Sequence, residues 1–259
     1  MTHREKQMEA FGELLDIMDE LREKCPWDKK QTMESLRHLT IEETYELGDA
    51  ILDKDQDEIR KELGDLLLHI VFYSKIASEE KSFDILEVIK GINEKLIHRH
   101  PHVYGDVVAQ TEEQVAKNWE QLKLKEGKKS VLEGVPKSLP AMIKASRIQD
   151  KAASSGFDWK ETEQVYKKVQ EEIGELHEEV LHQNQVRIEA EFGDVLFSLI
   201  NYARFIKVDP ESALERTNKK FISRFQFLEK EVRKNGLSLK DMTLDEMDVF
   251  WNKSKEHFK

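Results

Sequence analysis

The chain has 259 residues, enough for one large or two medium domains, with a formal net charge of −11 and 36% charged residues. This acidic balance argues against a general affinity for nucleic acid or for anionic membranes. The single cysteine, Cys25, excludes an intrachain disulfide and fits a reducing compartment.

The N-terminal segment MTHREKQMEAFGELL is charged and lacks the apolar core of a signal peptide. The longest apolar run lies around Leu66–Tyr73, contains His69 and is far too short to cross a bilayer as a helix. We therefore expect a cytoplasmic protein that has neither a membrane nor a nucleic acid as its partner.

Apolar residues recur at spacings of three and four along almost the whole chain, as in MEAFGELLDIMDEL. Strand-like alternation is hard to find, so the pattern predicts an all-α protein. The clearest interruption, EGKKSVLEGVPKSLPAM, contains Pro136 and Pro140 and predicts a linker. We expect an N-terminal domain over residues 1–126, a linker over 127–140 and a C-terminal domain over 141–259.

The segments on the two sides of this linker resemble each other, block by block and in the same order. IEETYEL and QEEIGEL are 129 residues apart, and ELGD and EFGD have the same separation. Two further matched blocks carry Lys95, Arg99, Trp119 and Lys123 in the first half, and Lys220, Arg224, Trp251 and Lys255 in the second. Four matched blocks in one order indicate an internal duplication that gives two helical bundles.

The acidic blocks of each half predict a cluster of carboxylates. Residues three or four apart share a helix face, so Glu172 and Glu175 point the same way, as do Glu191 and Asp194. In an antiparallel hairpin these four acids converge, and a hard divalent cation such as Mg²⁺ relieves their repulsion. The alternative is an ordinary solvated face of a Glu-rich helix. The first half repeats the set as Glu43, Glu46, Glu62 and Asp65.

Two glycines favour the site over the solvated face. Gly64 and Gly193 stand inside helical patterns beside these acids, where glycine costs about 1 kcal/mol relative to alanine. Their repetition suggests a close approach by another helix or by a ligand.

Cationic and aromatic residues complete the pattern. Lys220 and Arg224 are four residues apart and form one cationic helix face, which suits phosphate oxygens. Trp251 and Lys255 have the same spacing, so the indole could stack on a base while the ammonium lies near a phosphate. Surface salt bridges and a core tryptophan are the ordinary alternatives. As a set, these residues suit a nucleoside polyphosphate with Mg²⁺.

The phrases EETYE…ELGD and EEIGE…EFGD resemble the signature of the MazG-type all-α nucleoside triphosphate pyrophosphohydrolases. The tandem layout and the blocks CPWD, RHPHVYGD, SLPA, GFDW and NKKFISRF extend the resemblance over nearly the whole chain. It implies hydrolysis of NTPs and dNTPs to NMP and diphosphate, with broad specificity and with Mg²⁺, for which Mn²⁺ could substitute. It also implies a homodimer and a role in nucleotide-pool housekeeping or stress.

Carried over by position, the resemblance implies the site residues. The metal ligands would be Glu172, Glu175, Glu191 and Asp194. The nucleotide would contact Lys168, Arg187, Asp194, Lys220, Arg224, Trp251 and Lys255. Catalysis would involve Glu171, Glu172, Glu175, Lys220 and Arg224, with Glu171 as a candidate general base. Relatives place the activity in the second half. The first half offers a second candidate site in Glu43, Glu46, Glu62, Asp65, Lys95, Arg99, Trp119 and Lys123.

Other functions remain open. One is a narrower pyrophosphatase for dUTP, dCTP or a phosphoribosyl nucleotide, and another is a non-catalytic nucleotide-binding regulator. A di-iron carboxylate bundle needs Glu-x-x-His on two helices, which neither acidic block contains, since His177 follows Glu172 by five residues. The sequence also lacks the G-x-x-x-x-G-K-[ST] phosphate loop.

Overall fold

The computed structural model describes residues 1–107, 111, 114–115, 118 and 130–257. The expected boundary at residue 126, together with Trp119 and Lys123, lies outside these residues. The described residues form helices and turns with no strand, which confirms the all-α prediction. Contacts within the chain divide it into two compact units, Met1–Trp119 and Glu120–Lys259, and each is described by itself.

The described part of the first unit consists mainly of four long helices. They are α1 (His3–Lys24), α2 (Met33–Asp53), α3 (Gln56–Glu79) and α4 (Ile85–Arg99), and the short α5 (Pro101–Tyr104) follows them. The hairpin of α2 and α3 has the most extensive helix contacts of this unit.

The second unit repeats this plan. Its helices are α6 (Ala141–Ser154), α7 (Thr162–His182), α8 (Gln185–Phe205), α9 (Pro210–Lys234) and α10 (Leu244–His257). Here α7 and α8 form the extensively packed hairpin, and α9 packs against α10. The antiparallel arrangement expected for the two acidic blocks is therefore present in both units.

The same local chemistry turns the chain in both hairpins. Lys54 and Gln183, which are 129 residues apart, end α2 and α7 with left-handed backbones of φ 58° and 53°. The next residues, Asp55 and Asn184, cap α3 and α8 by accepting hydrogen bonds from backbone N–H groups. These side chains satisfy donors that a helix start leaves unpaired. The short turns hold the acidic blocks of the paired helices side by side.

The core of the first unit is a continuous apolar cluster. Its buried members are Met18, Leu36, Val71, Phe72 and Ile76, and Leu39 and Leu68 are among the half-buried residues packed against it. Burial of such side chains contributes about 1.5–3 kcal/mol each. The core therefore lies where α1, α2 and α3 meet.

The interpretation of the two glycines was wrong in one respect. A Cβ placed on Gly64 or Gly193 would have no heavy atom of the described chain within 4 Å, so no helix of the same chain approaches closely. If these glycines do allow a close approach, the neighbour is a ligand or a second chain. Among the described helices, none combines the length and the apolar character that crossing a membrane would require.

Candidate functional site

The hairpin of the second unit brings three of the four expected acids together. Glu172 and Glu175 on α7 and Glu191 on α8 each place one carboxylate oxygen within 4.8 Å of the other two. Glu172 is only 8% exposed. Asp194 stands one turn beyond Glu191, outside this trio, and lines the adjoining cavity. Burial, and then the charges of Glu175 and Asp194, raise the pKa of Glu191.

The first unit builds the corresponding trio from Glu43, Glu46 and Glu62, again with oxygens within 4.8 Å of one another. Burial raises the pKa of all three carboxyls, and their mutual repulsion and the charge of Asp65 add to the effect. Glu62 Oε2 is buried and has no hydrogen-bond partner among the described residues. An orphaned acceptor beside like charges is the electrostatic situation that a cation relieves.

Both trios fit a hard divalent cation. All their donors are carboxylate oxygens, the type that Mg²⁺ and Mn²⁺ prefer. Around an octahedral ion with bonds of about 2.1 Å, neighbouring oxygens lie about 3.0 Å apart and opposite oxygens about 4.2 Å apart. The trio oxygens lie within 4.8 Å of one another, which places all three around a common point where an ion would bind.

One expected cation joins the second-unit acids directly. Lys168 Nζ lies 2.6 Å from Glu171 Oε1 and 2.9 Å from Glu172 Oε1. The hydrogen bond with Glu171, and then the bond with Glu172, raise the pKa of Lys168. Arg187 lies on α8 and pairs with Glu179 at 3.2 Å. Lys168 thus belongs to the cluster, whereas Arg187 is held at its edge.

The remaining expected residues of the second unit lie on another pair of helices. Lys220 and Arg224 are on α9, and Lys220 is exposed. Trp251 on α10 is half-buried against Phe221, with ring centroids 5.1 Å apart, and Lys255 Nζ donates to Asn252 at 2.9 Å. These contacts place the four residues on the α9–α10 hairpin rather than within the acidic trio.

The corresponding residues of the first unit are only partly described. Lys95 and Arg99 lie on α4, and Lys95 is exposed. Trp119 and Lys123 fall outside the described residues, so the second candidate site is described only for its acids and these two cations.

A cavity of about 670 Å³ adjoins the second-unit acids. Lys168, Glu172 and Asp194 line it on the side of the trio, and Gln149 and Asn201 contribute polar side chains elsewhere. Ligand pockets typically have volumes of about 300–1,000 Å³. Sequence reasoning missed this cavity and both amide side chains.

The first unit has apolar side chains at the matching positions. The residues 129 positions before Lys168, Phe197 and Asn201 are Leu39, Leu68 and Phe72. Phe72 is buried in the apolar core, and Leu39 and Leu68 pack against it. The sequence did contain one signal for this site: within matched blocks, the apolar Phe72 of the first unit is replaced by the polar Asn201 in the second. The two units therefore share an acidic trio, but these three lining positions of the second-unit cavity correspond to apolar, packed positions in the first.

The fold and the site define an all-α protein with duplicated helical hairpins and paired carboxylate clusters. A model of the MazG nucleotide pyrophosphohydrolase domain matches residues 31–104 and 160–226, two segments whose starts are 129 residues apart. The chain belongs to the MazG nucleotide pyrophosphohydrolase family, which confirms the resemblance found in the sequence.

Two named relatives match nearly the whole chain. The nucleoside triphosphate pyrophosphohydrolase/pyrophosphatase MazG of Thermotoga maritima is 46% identical over 250 residues, 95% of each chain. The nucleoside triphosphate pyrophosphohydrolase of Escherichia coli is 41% identical over 257 residues, 96% of this chain and 98% of its own. A crystal structure of a MazG-related protein from Thermotoga maritima covers 44% of this chain and 98% of its own, with 26% identity and a TM-score of 0.40.

Proposed function

We propose that the protein is a Mg²⁺-dependent nucleoside triphosphate pyrophosphohydrolase of broad specificity that releases NMP and diphosphate. Family membership and the names of relatives over 40% identical support the general activity. The observation that carries the proposal is the second-unit trio, joined by Lys168 at the wall of a cavity of about 670 Å³.

The metal would be held by Glu172, Glu175 and Glu191, with Asp194 close by. When bound, such an ion polarises a phosphoryl group and lowers the pKa of a coordinated water. The carboxylates would hold this ion, and the bound ion would supply a positive charge for the triphosphate. A buried Glu172 at 8% exposure is well placed for this task because packing restricts its movement.

Residues around the trio would handle protons and charge. Glu171 is exposed and lies next to the trio, because it shares its partner Lys168 with Glu172. This position makes it the candidate to accept the proton of the attacking water. The ammonium group of Lys168 would partly neutralise the negative charge of phosphates that bind next to the acidic trio. Lys220 and Arg224 would stabilise the charge that develops on the departing diphosphate.

A homodimer would complete this arrangement, because Lys220, Arg224 and Trp251 lie on α9 and α10 and not on the hairpin that carries the trio. Apolar side chains are exposed on matching faces of the two hairpins, and they occur at the same 129-residue spacing. These faces consist of Leu63, Leu67 and Ile70 on α3, and Phe192, Leu196 and Leu199 on α8. Contiguous exposed apolar surface is typical of a protein interface, and a two-fold axis would bring a partner's residues to each site.

Product analysis tests this function. The protein is incubated with each NTP and dNTP and Mg²⁺, and the products are separated by ion-exchange chromatography. We expect NMP and diphosphate from every substrate, and loss of turnover after exhaustive chelation. Primary release of NDP and orthophosphate would contradict the cleavage position, and unchanged turnover after chelation would contradict the metal. Nucleotide binding without turnover by a folded protein would instead support the non-catalytic regulator.

A further inference from the structure

The cavity beside the second-unit acids contains polar groups that metal and phosphate binding do not use. Gln149 on α6 is only 6% exposed and lines this cavity. Its Nε2 donates to the carbonyl of Phe197 at 2.8 Å, while its Oε1 is buried with no partner among the described residues. The reverse amide orientation would place two oxygens against each other, so the bond to Phe197 fixes Oε1 as an acceptor without a donor.

Asn201 on α8 supplies the complementary group. Its Oδ1 accepts from Arg204 Nε at 3.2 Å and Nη2 at 2.9 Å. Arg204 is itself held by Asp158, with Nη1 at 2.9 Å from Oδ2 and Nη2 bonded to Oδ1. This chain of contacts orients the Asn201 amide, so that its Nδ2 remains as a donor, and Asn201 is one of the residues that line the cavity. The two parallel hydrogen bonds between the Arg204 guanidinium and the Asp158 carboxylate fix the position of Arg204, and Arg204 in turn fixes the orientation of the Asn201 amide.

We infer that the cavity binds the nucleobase of the substrate, with Asn201 donating to a base acceptor and Gln149 accepting from a base N–H. The inference rests on the proposed function, because the triphosphate would then extend from the cavity to Lys168 and the acids. The rest of the lining is largely apolar, with Ile148, Val165 and Phe197 among its residues, which suits the faces of a planar base.

One donor and one acceptor do not select a single base. Adenine and cytosine present an amino donor beside a ring acceptor, while guanine and uracil present a ring N–H beside a carbonyl. Every base therefore carries both types of group that the cavity can satisfy. We expect affinities for the four ribonucleosides within about ten-fold of one another, because each base can pair with both polar groups and leaves neither of them unpaired.

The first unit indicates what closes such a cavity. At the position matching Asn201, it has Phe72, which is 3% exposed within the apolar core. The substitution Asn201→Phe therefore places in the second unit a side chain that the matching position accommodates, whereas Gln149→Leu removes the acceptor with little change in size.

Binding is measured by calorimetry on the full-length protein with each nucleoside and, separately, with inorganic tripolyphosphate in Mg²⁺. We expect Gln149→Leu to weaken nucleoside binding by about 10- to 100-fold, because a base N–H loses its partner in a buried site. Asn201→Phe should abolish nucleoside binding. Both variants should bind tripolyphosphate as the wild type does, which also shows that the acidic site remains folded. Gln185→Leu, at an exposed glutamine of α8, is the matched control and should change neither affinity.

Unchanged nucleoside affinity in both cavity variants would overturn the inference. A parallel loss of nucleoside and tripolyphosphate affinity would do so as well, because it would show a general structural role. Turnover of NTPs is measured on the same preparations. Nucleoside binding that depends on Gln149, in a protein without turnover, would contradict the proposed function and leave the base site standing.

Discussion

Glu191 lies among like charges, and in the metal-free protein this proximity opposes folding. Its pKa is raised first by burial and then by the charges of Glu175 and Asp194. A carboxyl whose folded pKa lies above its unfolded value contributes stability below the unfolded pKa, and this contribution is lost as the pH rises through the folded pKa. At neutral pH the ionised group therefore destabilises the protein unless a cation is bound.

Replacing Glu191 by Gln should accordingly stabilise the metal-free protein at pH 8. We expect a higher thermal midpoint than that of the wild type at pH 8, and no gain at pH 4, where the wild-type carboxyl is protonated. With Mg²⁺ the wild type should gain more stability than the variant, because binding to the folded state alone raises the midpoint. Scanning calorimetry with and without chelator measures these differences. Glu189→Gln, at an exposed position of the same helix, should show neither effect; an equal gain in that control would refute a local cause.

Other single residues show which parts of the site could be predicted from the sequence and which could not. The spacing of Glu172, Glu175 and Glu191 predicted the cluster because helix periodicity fixes which side chains share a face. Gln149 and Asn201 are 52 residues apart on different helices, and no local period connects them. Their role became visible only when packing left a cavity between them.

At the scale of elements, Arg22 connects α1 to α3 and to the turn between α1 and α2. It donates to the carbonyls of Asp28 and Gln31, the latter at 3.1 Å, and to Glu79 Oε1 at 3.0 Å. The arginine side chain is only 10% exposed. The bond with Arg22 lowers the pKa of Glu79, so this contribution is present above the ordinary carboxyl pKa and is lost as the pH falls through the lowered value.

Substituting Arg22 by Leu should destabilise the first unit by about 1–3 kcal/mol, because two partly buried carbonyls and Glu79 lose their donor. Hydrogen exchange followed by mass spectrometry should show faster exchange in α1 and α3. The destabilisation should shrink in acid, as Glu79 becomes protonated in both proteins. Arg4→Leu, on an exposed part of the same helix, should leave exchange unchanged. Wild-type exchange rates in Arg22→Leu would show that the connection contributes nothing.

The elements themselves were largely predictable. Apolar periodicity and the duplicated blocks predicted helices and paired hairpins, since local spacing determines both. The prediction of a close helix at the glycines was wrong because glycine, which destabilises a helix, was taken to require a closely packed neighbour. No atom of the described chain fills the space at Gly64 and Gly193. Leu39 and Lys168 occupy matching positions, yet only the packing shows that one fills a core and the other lines a cavity.

For the whole molecule, the exposed face of α8 leads to a prediction about assembly. Leu196 and Leu199 are each 43% exposed, and a partner would bury them in the proposed homodimer. Changing both to Glu should give a monomer in light scattering at micromolar concentration, because charges at a buried apolar interface are costly. Val186→Glu, at a 79% exposed position of the same helix, should remain dimeric. A dimer that persists in the double variant would rule out this face, and a fully active wild-type monomer would rule out the dimer.

The last prediction assigns catalysis to the second unit. Both units have an acidic trio, but their surroundings differ in charge and in space. Lys168 and Arg187 correspond to Leu39 and Glu58 of the first unit. A highly charged triphosphate is favoured by the added cations. The cavity beside Lys168 would accept the rest of the nucleotide, whereas Leu39 packs against a filled core.

A pair of double variants tests this assignment. Glu172→Ala with Glu175→Ala should lower kcat by about 100-fold or more, because the site would lose ligands of the proposed metal and the electrostatic stabilisation that this metal would supply. Glu43→Ala with Glu46→Ala removes a matched pair of acids from the first unit and should leave most of the turnover. Rates are measured with saturating NTP and Mg²⁺, and light scattering and circular dichroism check that both proteins keep the mass and the helical content of the wild type. If the first-unit variant is the inactive one while both proteins keep their fold and assembly, the assignment to the second unit is wrong.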